Sequence, residues 1–363
     1  MIRYNQSLKL GEKLMSSTEL NSIAQAMVAP NKGILAADES TPTITKRFKD
    51  IDTESTEANR QTYRNMLFTA PGVSDYISGV ILFDETIRQT TNEGIPFPEY
   101  LTSLGIVPGI KVDKGAKELA ACPGEKVTEG LDGLRERLNE YHALGARFAK
   151  WRAVITIGNG IPSDTCISAN AHALARYAAL AQESGMVPIV EPEVLMDGDH
   201  SLDTCYQVTA KVLDVVFSEL KNQKIGLNGI ILKPNMVISG TDANNRADVA
   251  MVASATVDCL ISHVPSEVPG IAFLSGGQTS EEATAHLSAM NEFGPHPWQL
   301  SFSYGRALQA SPLRVWGGNK NNLESAQAEL LKRSRLNGLA RTGNYNPQME
   351  SILEDPLREA IPK

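Results

Sequence analysis

The 363-residue sequence lacks both the long apolar runs that suit a membrane and the excess of positive charge that suits nucleic acid. No apolar stretch approaches the roughly 18 residues that a membrane-spanning helix needs, so we expect no membrane partner. The 34 Lys and Arg residues are outnumbered by 42 Asp and Glu residues, which gives a formal net charge of −8. This sign opposes nonspecific binding to polyanions, so we expect no nucleic-acid partner.

Cysteine and histidine are sparse, and neither occurs in the spacings that are typical of metal sites. The four cysteines form no C-x-x-C pair, and the six histidines form no H-x-H, H-x-x-x-H or H-E-x-x-H motif. We therefore expect no metal and no other cofactor. Scattered single cysteines are typical of reduced thiols. The sequence also starts without the apolar stretch of a secretory signal, so we expect a cytoplasmic location, or a plastid one if a transit peptide has been removed.

Short apolar segments recur along the chain, and each of them ends in polar or charged residues. The eight segments are GILAADE (33–39), GVILFDE (79–85), PGIKVDK (108–114), ARFAKWR (146–152), PIVEPE (188–193), GIILKPN (229–235), GIAFLSGG (270–277) and LSFSYGR (300–306). They are separated by roughly 30 to 45 residues, which leaves room for a loop and a helix in each interval.

The intervals between these segments carry helical periodicity. Apolar side chains at spacings of three and four predict a helix over 131–144. Further helices are predicted around 18–28, 171–185, 208–220 and 324–340. Eight buried strands, each followed by a helix, are typical of a single (β/α)8 TIM barrel, with a doubly wound sheet as the alternative.

No low-complexity linker or sharp change in composition divides the chain. We therefore assign residues 1–345 to one (β/α)8 barrel with an N-terminal extension and a C-terminal helix. The last stretch, 346–363, mixes prolines with both signs of charge, so we expect a C-terminal tail that is either mobile or docked.

Charged residues concentrate where the predicted strands end. Barrel enzymes place their active sites at this end of the strands. The residues expected there are Asp38, Lys111, Lys150, Arg152, Glu191, Glu193, Lys233, Ser275, Gly276, Gly277, Ser303 and Arg306. Strand ends also become polar for structural reasons, and ion pairs can be structural. The concentration of charge in one cleft nevertheless favours a catalytic site, because such charges are partly desolvated.

Lys233 follows the apolar run GIIL and precedes Pro234, so we expect its stem to be buried. An amine attacks a ketone only when it is neutral, and the ordinary lysine pKa is about 10.4. Burial beside another cation, such as Lys150, Lys111 or Arg152, lowers a lysine pKa. Lys233 is therefore a candidate Schiff-base nucleophile. The structural alternative is a buried lysine that is paired with a glutamate.

The seventh and eighth segments predict an anion site. The glycines of SGGQ leave backbone N–H groups open to close approach by an anion. A T-x-x-E capping box at 279–282 predicts that a helix begins just after this loop. Arg306 offers a bidentate grip on phosphate. Phosphate sites in barrels commonly follow strands seven and eight, so sequence position and chemistry agree.

These segments closely resemble class I fructose-bisphosphate aldolases, from about residue 18 to residue 345. The matching stretches are GILAADEST (33–41), GIKVDKG (109–115), EGLDGL (129–134), FAKWR (148–152), PIVEPE (188–193), LKPNMV (232–237), FLSGGQ (273–278) and SFSYGRALQ (301–309). The resemblance implies a metal-independent, homotetrameric barrel that cleaves fructose 1,6-bisphosphate to dihydroxyacetone phosphate and glyceraldehyde 3-phosphate.

The resemblance also implies roles for individual residues. Lys233 would form the Schiff base with carbon 2, and Glu191 would be the acid and base that dehydrates the carbinolamine. Glu193 would tune the proton of Glu191, Asp38 would accept the carbon-4 hydroxyl proton, and Lys150 would hold charge beside both. The residues expected to bind the phosphorylated sugar are Ser40, Thr43, Arg47, Arg60, Lys111, Arg152, Ser275, Gly276, Gly277, Ser303, Gly305 and Arg306.

The sequence departs from the family at two places. Many relatives have Gly-Ser where this chain has Pro42 and Thr43, and we expect the proline to stiffen that loop. Relatives of animal and plant type end in a tyrosine that assists enamine protonation, whereas the last tyrosine of this sequence is Tyr345.

Two other classes of function stay open at this point. One is a metal-dependent barrel lyase or isomerase that uses Asp38, Glu191 and Glu193 as oxygen ligands. The other is a catalytically silent barrel that binds phosphate or acts as a scaffold, since one fold hosts many functions.

Overall fold

Eight parallel strands close into a barrel in the structure, a computed structural model that describes residues 17–352. The barrel strands are β1 (Gly33–Ala36), β2 (Ile77–Leu82), β3 (Val107–Lys111), β6 (Phe148–Ile155), β7 (Val187–Val194), β8 (Ile231–Leu232), β9 (Gly270–Phe273) and β10 (Gln299–Tyr304). They follow one another round the barrel in chain order, and β10 pairs with β1 to close it. The predicted (β/α)8 barrel is confirmed, and the doubly wound alternative is wrong.

Helices surround the barrel and connect its strands. The helices of the described residues are α1 (Ser17–Met27), α2 (Thr41–Lys49), α3 (Glu57–Phe68), α4 (Asp84–Ile87), α5 (Phe97–Ser103), α6 (Leu134–Ala143), α7 (Asp164–Glu183), α8 (Leu202–Asn222), α9 (Val249–His263), α10 (Ser280–Glu292), α11 (Arg306–Trp316), α12 (Leu323–Ala340) and α13 (Met349–Ile352). The five helices predicted from periodicity are confirmed as α1, α6, α7, α8 and α12. Within residues 17–352, no helix has the length and apolarity needed to cross a bilayer.

The strand register brings the predicted site residues together. Residues Lys150, Arg152 and Val154 of β6 pair with Ile189, Glu191 and Glu193 of β7, respectively. Because all strands of the barrel run parallel, their carboxyl ends meet at one mouth. Residues two apart on a strand share a face, so this register sets the order of charged side chains along the barrel axis.

Apolar side chains fill the opposite half of the barrel interior. The ring of Phe148 lies against the backbone of β3, where an alanine Cβ at Gly109 would come within 2.2 Å of the ring. Helix α1 packs across the amino ends of the strands. The fully packed cluster contains Leu20, Ala24, Met27, Val28, Ile34, Ala36, Ile81, Phe148, Val187, Ile189, Ile231 and Ala272. This end of the barrel is therefore sealed by side chains.

Two features lie outside the predicted strand–helix repeat. A two-stranded antiparallel sheet, β4 (Ala116–Glu118) with β5 (Lys126–Thr128), follows β3 beside the mouth of the barrel. Part of the predicted tail forms α13, and residues 353–363 lie outside the described residues, as do residues 1–16 of the predicted extension.

Candidate active site

A cavity of about 660 Å³ opens at the carboxyl ends of the barrel strands. The sequence-predicted site residues that line it are Asp38, Ser40, Thr43, Arg47, Lys111, Lys150, Arg152, Glu191, Glu193, Lys233, Ser275, Gly276, Ser303, Gly305 and Arg306. All but two of the predicted residues therefore meet in one place, the exceptions being Arg60 and Gly277.

Four charged side chains, of which Lys150, Glu191 and Lys233 are buried and Asp38 is partly buried, form the floor of this cavity. Lys150 Nζ lies 2.7 Å from Asp38 Oδ2 and 3.4 Å from Glu191 Oε2. Lys233 Nζ lies 3.1 Å from the other oxygen of Glu191. The residue Lys233 is only 4 % exposed, so its amine contacts this carboxylate largely shielded from water. Two lysines thus share one glutamate.

The two lysines keep both carboxyl groups ionised. Burial alone would raise the pKa of Asp38, but the ammonium groups of Lys150 and Lys233 outweigh it and hold that pKa well below its usual range. The same two cations outweigh burial at Glu191 and lower its pKa. Burial disfavours charge on Lys150, but the carboxylates of Asp38 and Glu191 raise its pKa above the ordinary value. Lys150 is therefore a fixed positive charge between two carboxylates.

The other carboxylates of the site are also matched to cations. Arg152 forms an ion pair with Glu193, which lies two residues beyond Glu191 on β7. Lys111 Nζ lies 3.1 Å from Asp113 Oδ1. Within residues 17–352, no three His, Cys, Asp or Glu side chains are grouped so that they could hold a metal ion. The carboxylates alternate with cations, which suits proton transfer and anionic substrates better than metal ligation.

The predicted anion loop lies at one side of the cavity. Gly276 has φ +54°, a left-handed conformation that a glycine adopts readily. Arg306 donates a hydrogen bond to the Gly276 carbonyl. The Ser303 hydroxyl is buried and has no hydrogen-bond partner in the described part of the chain. The Leu274 N–H donates to the carbonyl of Pro234 (3.2 Å), so this loop is tied to the residue that follows Lys233.

Two sequence features near the site, the capping box at 279–282 and Pro42, lie at the starts of helices. The capping box is confirmed, since Thr279 and Glu282 bond each other's backbone N–H groups ahead of α10. Pro42 lies in the first turn of α2 rather than in a loop, and there its missing N–H costs nothing. The hydroxyls of Ser40 and Thr43 are 3.1 Å apart at the cavity.

Two predicted site residues lie elsewhere. Arg60 donates from Nε and Nη2 to the two carboxylate oxygens of Glu85, at 2.7 Å and 2.5 Å, and does not line the cavity. The Gly277 N–H lies 2.9 Å from the sulfur of Met196, just outside the same cavity. The positively charged side chain of Arg60 is therefore already neutralised by a carboxylate.

A second buried ion cluster was missed by sequence reasoning. The Glu39 carboxylate pairs with Arg47 and with the buried Arg64, and it accepts a hydrogen bond of 2.9 Å from Gln309 Nε2. Of these residues, Arg47 and Glu39 line the cavity. The available signal was the position of Glu39 directly after Asp38, at the end of β1. Nothing local in the sequence points to Arg64, which reaches Glu39 from α3.

Comparisons with known proteins agree with this geometry. The family model for class I fructose-bisphosphate aldolase matches residues 19–356. A probable fructose-bisphosphate aldolase class 1 from Xanthomonas campestris pv. campestris is 60 % identical over 332 residues, which cover 91 % of this chain and 99 % of that protein. The cytosolic fructose-bisphosphate aldolase 4 of Arabidopsis thaliana is 50 % identical and is matched over 85 % of its length and 92 % of this chain.

A solved structure supports the same assignment. It is the ternary complex of fructose-bisphosphate aldolase from Plasmodium falciparum with TRAP and a small-molecule inhibitor. Its TM-score is 0.90 at 49 % sequence identity, and the match covers 92 % of this chain and 98 % of that chain. The chain therefore belongs to the class I fructose-bisphosphate aldolase family, whose members are aldehyde-lyases that reversibly cleave fructose 1,6-bisphosphate in glycolysis.

Proposed function

We propose that the chain cleaves fructose 1,6-bisphosphate through a Schiff base between Lys233 and carbon 2 of the sugar. The observation that carries this proposal is the 3.1 Å contact between Lys233 Nζ and the Glu191 carboxylate in a buried site. Transfer of one proton across this contact yields a neutral amine and a carboxylic acid together. The amine is the nucleophile, and the acid is the proton donor that the next step needs.

Imine formation uses both members of this pair. The Lys233 nitrogen attacks carbon 2, and the carbonyl oxygen becomes the hydroxyl of a carbinolamine. Glu191 then protonates this hydroxyl, which leaves as water while the C–N bond becomes an iminium. Overall the ammonium group loses two protons to the departing water and keeps one on nitrogen, so the charge is conserved. Glu193, which is paired with Arg152 and lies two residues beyond Glu191 on β7, would adjust the proton affinity of Glu191.

Carbon–carbon cleavage then uses the iminium as an electron sink. Asp38 accepts the proton of the carbon-4 hydroxyl, and a carbonyl forms at carbon 4. The electron pair of the bond between carbons 3 and 4 moves to the iminium and gives an enamine. Glyceraldehyde 3-phosphate leaves first, and protonation at carbon 3 followed by hydrolysis releases dihydroxyacetone phosphate. Lys150, 2.7 Å from Asp38, keeps that carboxylate ionised and ready to accept the proton.

Two groups of donors in the cavity suit the two phosphates. The loop at Ser275 and Gly276, the unpartnered Ser303 hydroxyl and Arg306 would bind the carbon-1 phosphate. The hydroxyls of Ser40 and Thr43, 3.1 Å apart, line the same cavity. Together with Arg47 and Lys111 they would bind the remainder of the phosphorylated sugar.

Borohydride trapping tests the Schiff base directly. We expect borohydride to reduce the iminium formed with dihydroxyacetone phosphate and leave a stable adduct on Lys233, located by peptide mass spectrometry. Prior treatment with EDTA should leave the adduct yield unchanged, whereas a metal-dependent lyase would lose activity. The matched control is Lys150, which contacts the same glutamate. An adduct on Lys150, or no adduct at all, would refute the assignment.

The relatives and the exposed side chains also bear on the location and assembly of the chain. A cytoplasmic location is favoured by the cytosolic relative in Arabidopsis thaliana and by the free cysteines of the described residues. A homotetramer is the assembly that the family resemblance implies. Met251 and Ile261 on α9 are more than half exposed, and such apolar side chains suit burial against another copy of the chain.

A further inference from the structure

A buried histidine lies next to the anion loop and does not line the catalytic cavity. His286 is on α10, and its Nδ1 atom is 2.6 Å from Oε1 of Gln278. The two residues are 4 % and 8 % exposed, respectively, so the contact is shielded from water. None of the steps described above uses this histidine, and its spacing from the other histidines gives no sequence signal.

The other end of the Gln278 amide holds the loop. Its Nε2 donates to the carbonyl of Ser275 at 3.1 Å, and the Gln278 backbone N–H donates to the same carbonyl at 3.0 Å. Because Nε2 is used as a donor, Oε1 must face the histidine as an acceptor. His286 Nδ1 therefore carries the proton, and burial lowers the pKa of this ring to about 4, so the ring is neutral near pH 7.

The Ser275 carbonyl matters because of the peptide group it belongs to. The Ser275 carbonyl and the Gly276 N–H share one planar trans peptide, so they point in opposite directions. Two hydrogen bonds that fix the carbonyl on the Gln278 side also fix the direction of this N–H. Gly276 lines the cavity at the proposed carbon-1 phosphate site.

We infer that His286 is a positioning residue for substrate phosphate: its Nδ1–H fixes the Gln278 amide, which orients the Ser275–Gly276 peptide of the anion loop. The inference rests on the proposed function, in which this loop binds the carbon-1 phosphate. A purely structural role would change the stability of α10 without separating KM from kcat. A positioning role changes the binding of phosphate, because the chemistry takes place on Lys233 and Glu191.

The test is a matched pair of variants, His286→Leu and His286→Asn. Asparagine places its Nδ2 donor close to the position of histidine Nδ1, since each atom is one bond from Cγ, whereas leucine has no donor. Loss of one buried hydrogen bond should raise KM for fructose 1,6-bisphosphate about fivefold in the leucine variant. We expect kcat to stay within about twofold, and the asparagine variant to restore KM to within about twofold of the wild type.

A second variant removes the same link from its other end. Gln278→Leu should raise KM to a similar degree, and His286→Leu with Gln278→Leu should raise it no further, as expected for residues that act in series. If His286→Leu does not fold, Gln278→Leu alone decides the question. An unchanged KM, equal KM values for the leucine and asparagine variants, or a loss confined to kcat would overturn the inference.

Borohydride trapping separates this inference from the proposed function. We expect the leucine and asparagine variants to give the Lys233 adduct at saturating dihydroxyacetone phosphate, because neither change touches the amine. Absence of the adduct in the wild type would refute the Schiff-base proposal. A normal adduct in all variants with unaltered KM values would refute only the role of His286.

Discussion

The two halves of the barrel interior are built from the same eight strands, but opposite chemistry fills them. At the amino ends, Phe148 and its neighbours form a sealed apolar cluster beneath α1. At the carboxyl ends, a few residues further along the same strands, Lys150 and Glu191 are equally buried but charged. In β6, Phe148 and Lys150 are two residues apart, so their side chains lie on the same face of the strand.

This contrast shows how the fold tolerates buried charge. Each ionised group of the floor contacts a partner of opposite sign, and Lys150 and Glu191 each contact two. An unpaired charge at such a site would be costly, and these ion pairs offset that cost even though, within residues 17–352, Glu191 Oε2 accepts no hydrogen bond. The apolar half contributes packing that fixes the strands and therefore the distances between these charges.

Replacing the central amine should have the largest effect. We expect Lys233→Met to lower kcat for fructose 1,6-bisphosphate cleavage at least about 10⁴-fold, since the covalent step is lost. The fold should persist, because the apolar cluster is untouched, and circular dichroism would verify this. Lys211→Met, at an exposed lysine of α8, is the matched control and should retain full activity. Turnover of Lys233→Met within tenfold of the wild type would contradict the mechanism.

Removing a large side chain from the apolar half should lower the stability of the fold rather than its catalytic rate. Phe148→Ala is expected to reduce the free energy of unfolding by about 3 to 5 kcal/mol, because it leaves a cavity among fully buried neighbours. Urea unfolding would measure this, with kcat of the remaining folded protein as the second readout. Phe293→Ala, at a phenylalanine that is 54 % exposed, should change stability by no more than about 0.5 kcal/mol. Equal losses of unfolding free energy in the two variants would show that the apolar half does not stabilise the barrel as described.

A smaller effect is expected at the edge of the charged half. Arg306→Ala should raise KM for fructose 1,6-bisphosphate about 20-fold with little change in kcat, as for loss of a charge-assisted contact to phosphate. Arg60→Ala is the comparison, since Arg60 is paired with Glu85 outside the cavity. We expect it to change KM less than about threefold. The reverse order of the two effects would show that Arg60, rather than Arg306, faces the substrate.

The parts of the site that sequence predicted are those whose position is fixed by the strand on which they lie. Lys233 follows an apolar strand, and Glu191 and Glu193 alternate along another, so a barrel brings them to one mouth without knowledge of contacts. Arg60 was predicted by family resemblance alone, and the structure pairs it with Glu85. The contacts of residues on the outer helices cannot be predicted in this way, because their side-chain directions depend on how each helix packs.

The pairs that sequence missed depend on where helix side chains point. Arg64 on α3 reaches Glu39 just after β1, and His286 on α10 contacts Gln278, which lies eight residues before it in the preceding loop. The strands β4 and β5 were also missed, because three-residue strands with half-exposed side chains lack the continuous apolar pattern of the barrel strands.

Within residues 17–352, the apolar seal beneath α1 closes the amino end of the barrel, and the cavity opens at the carboxyl end. Substrate and both triose products therefore pass through the same mouth. A product that still occupies the cavity competes directly with the next substrate molecule.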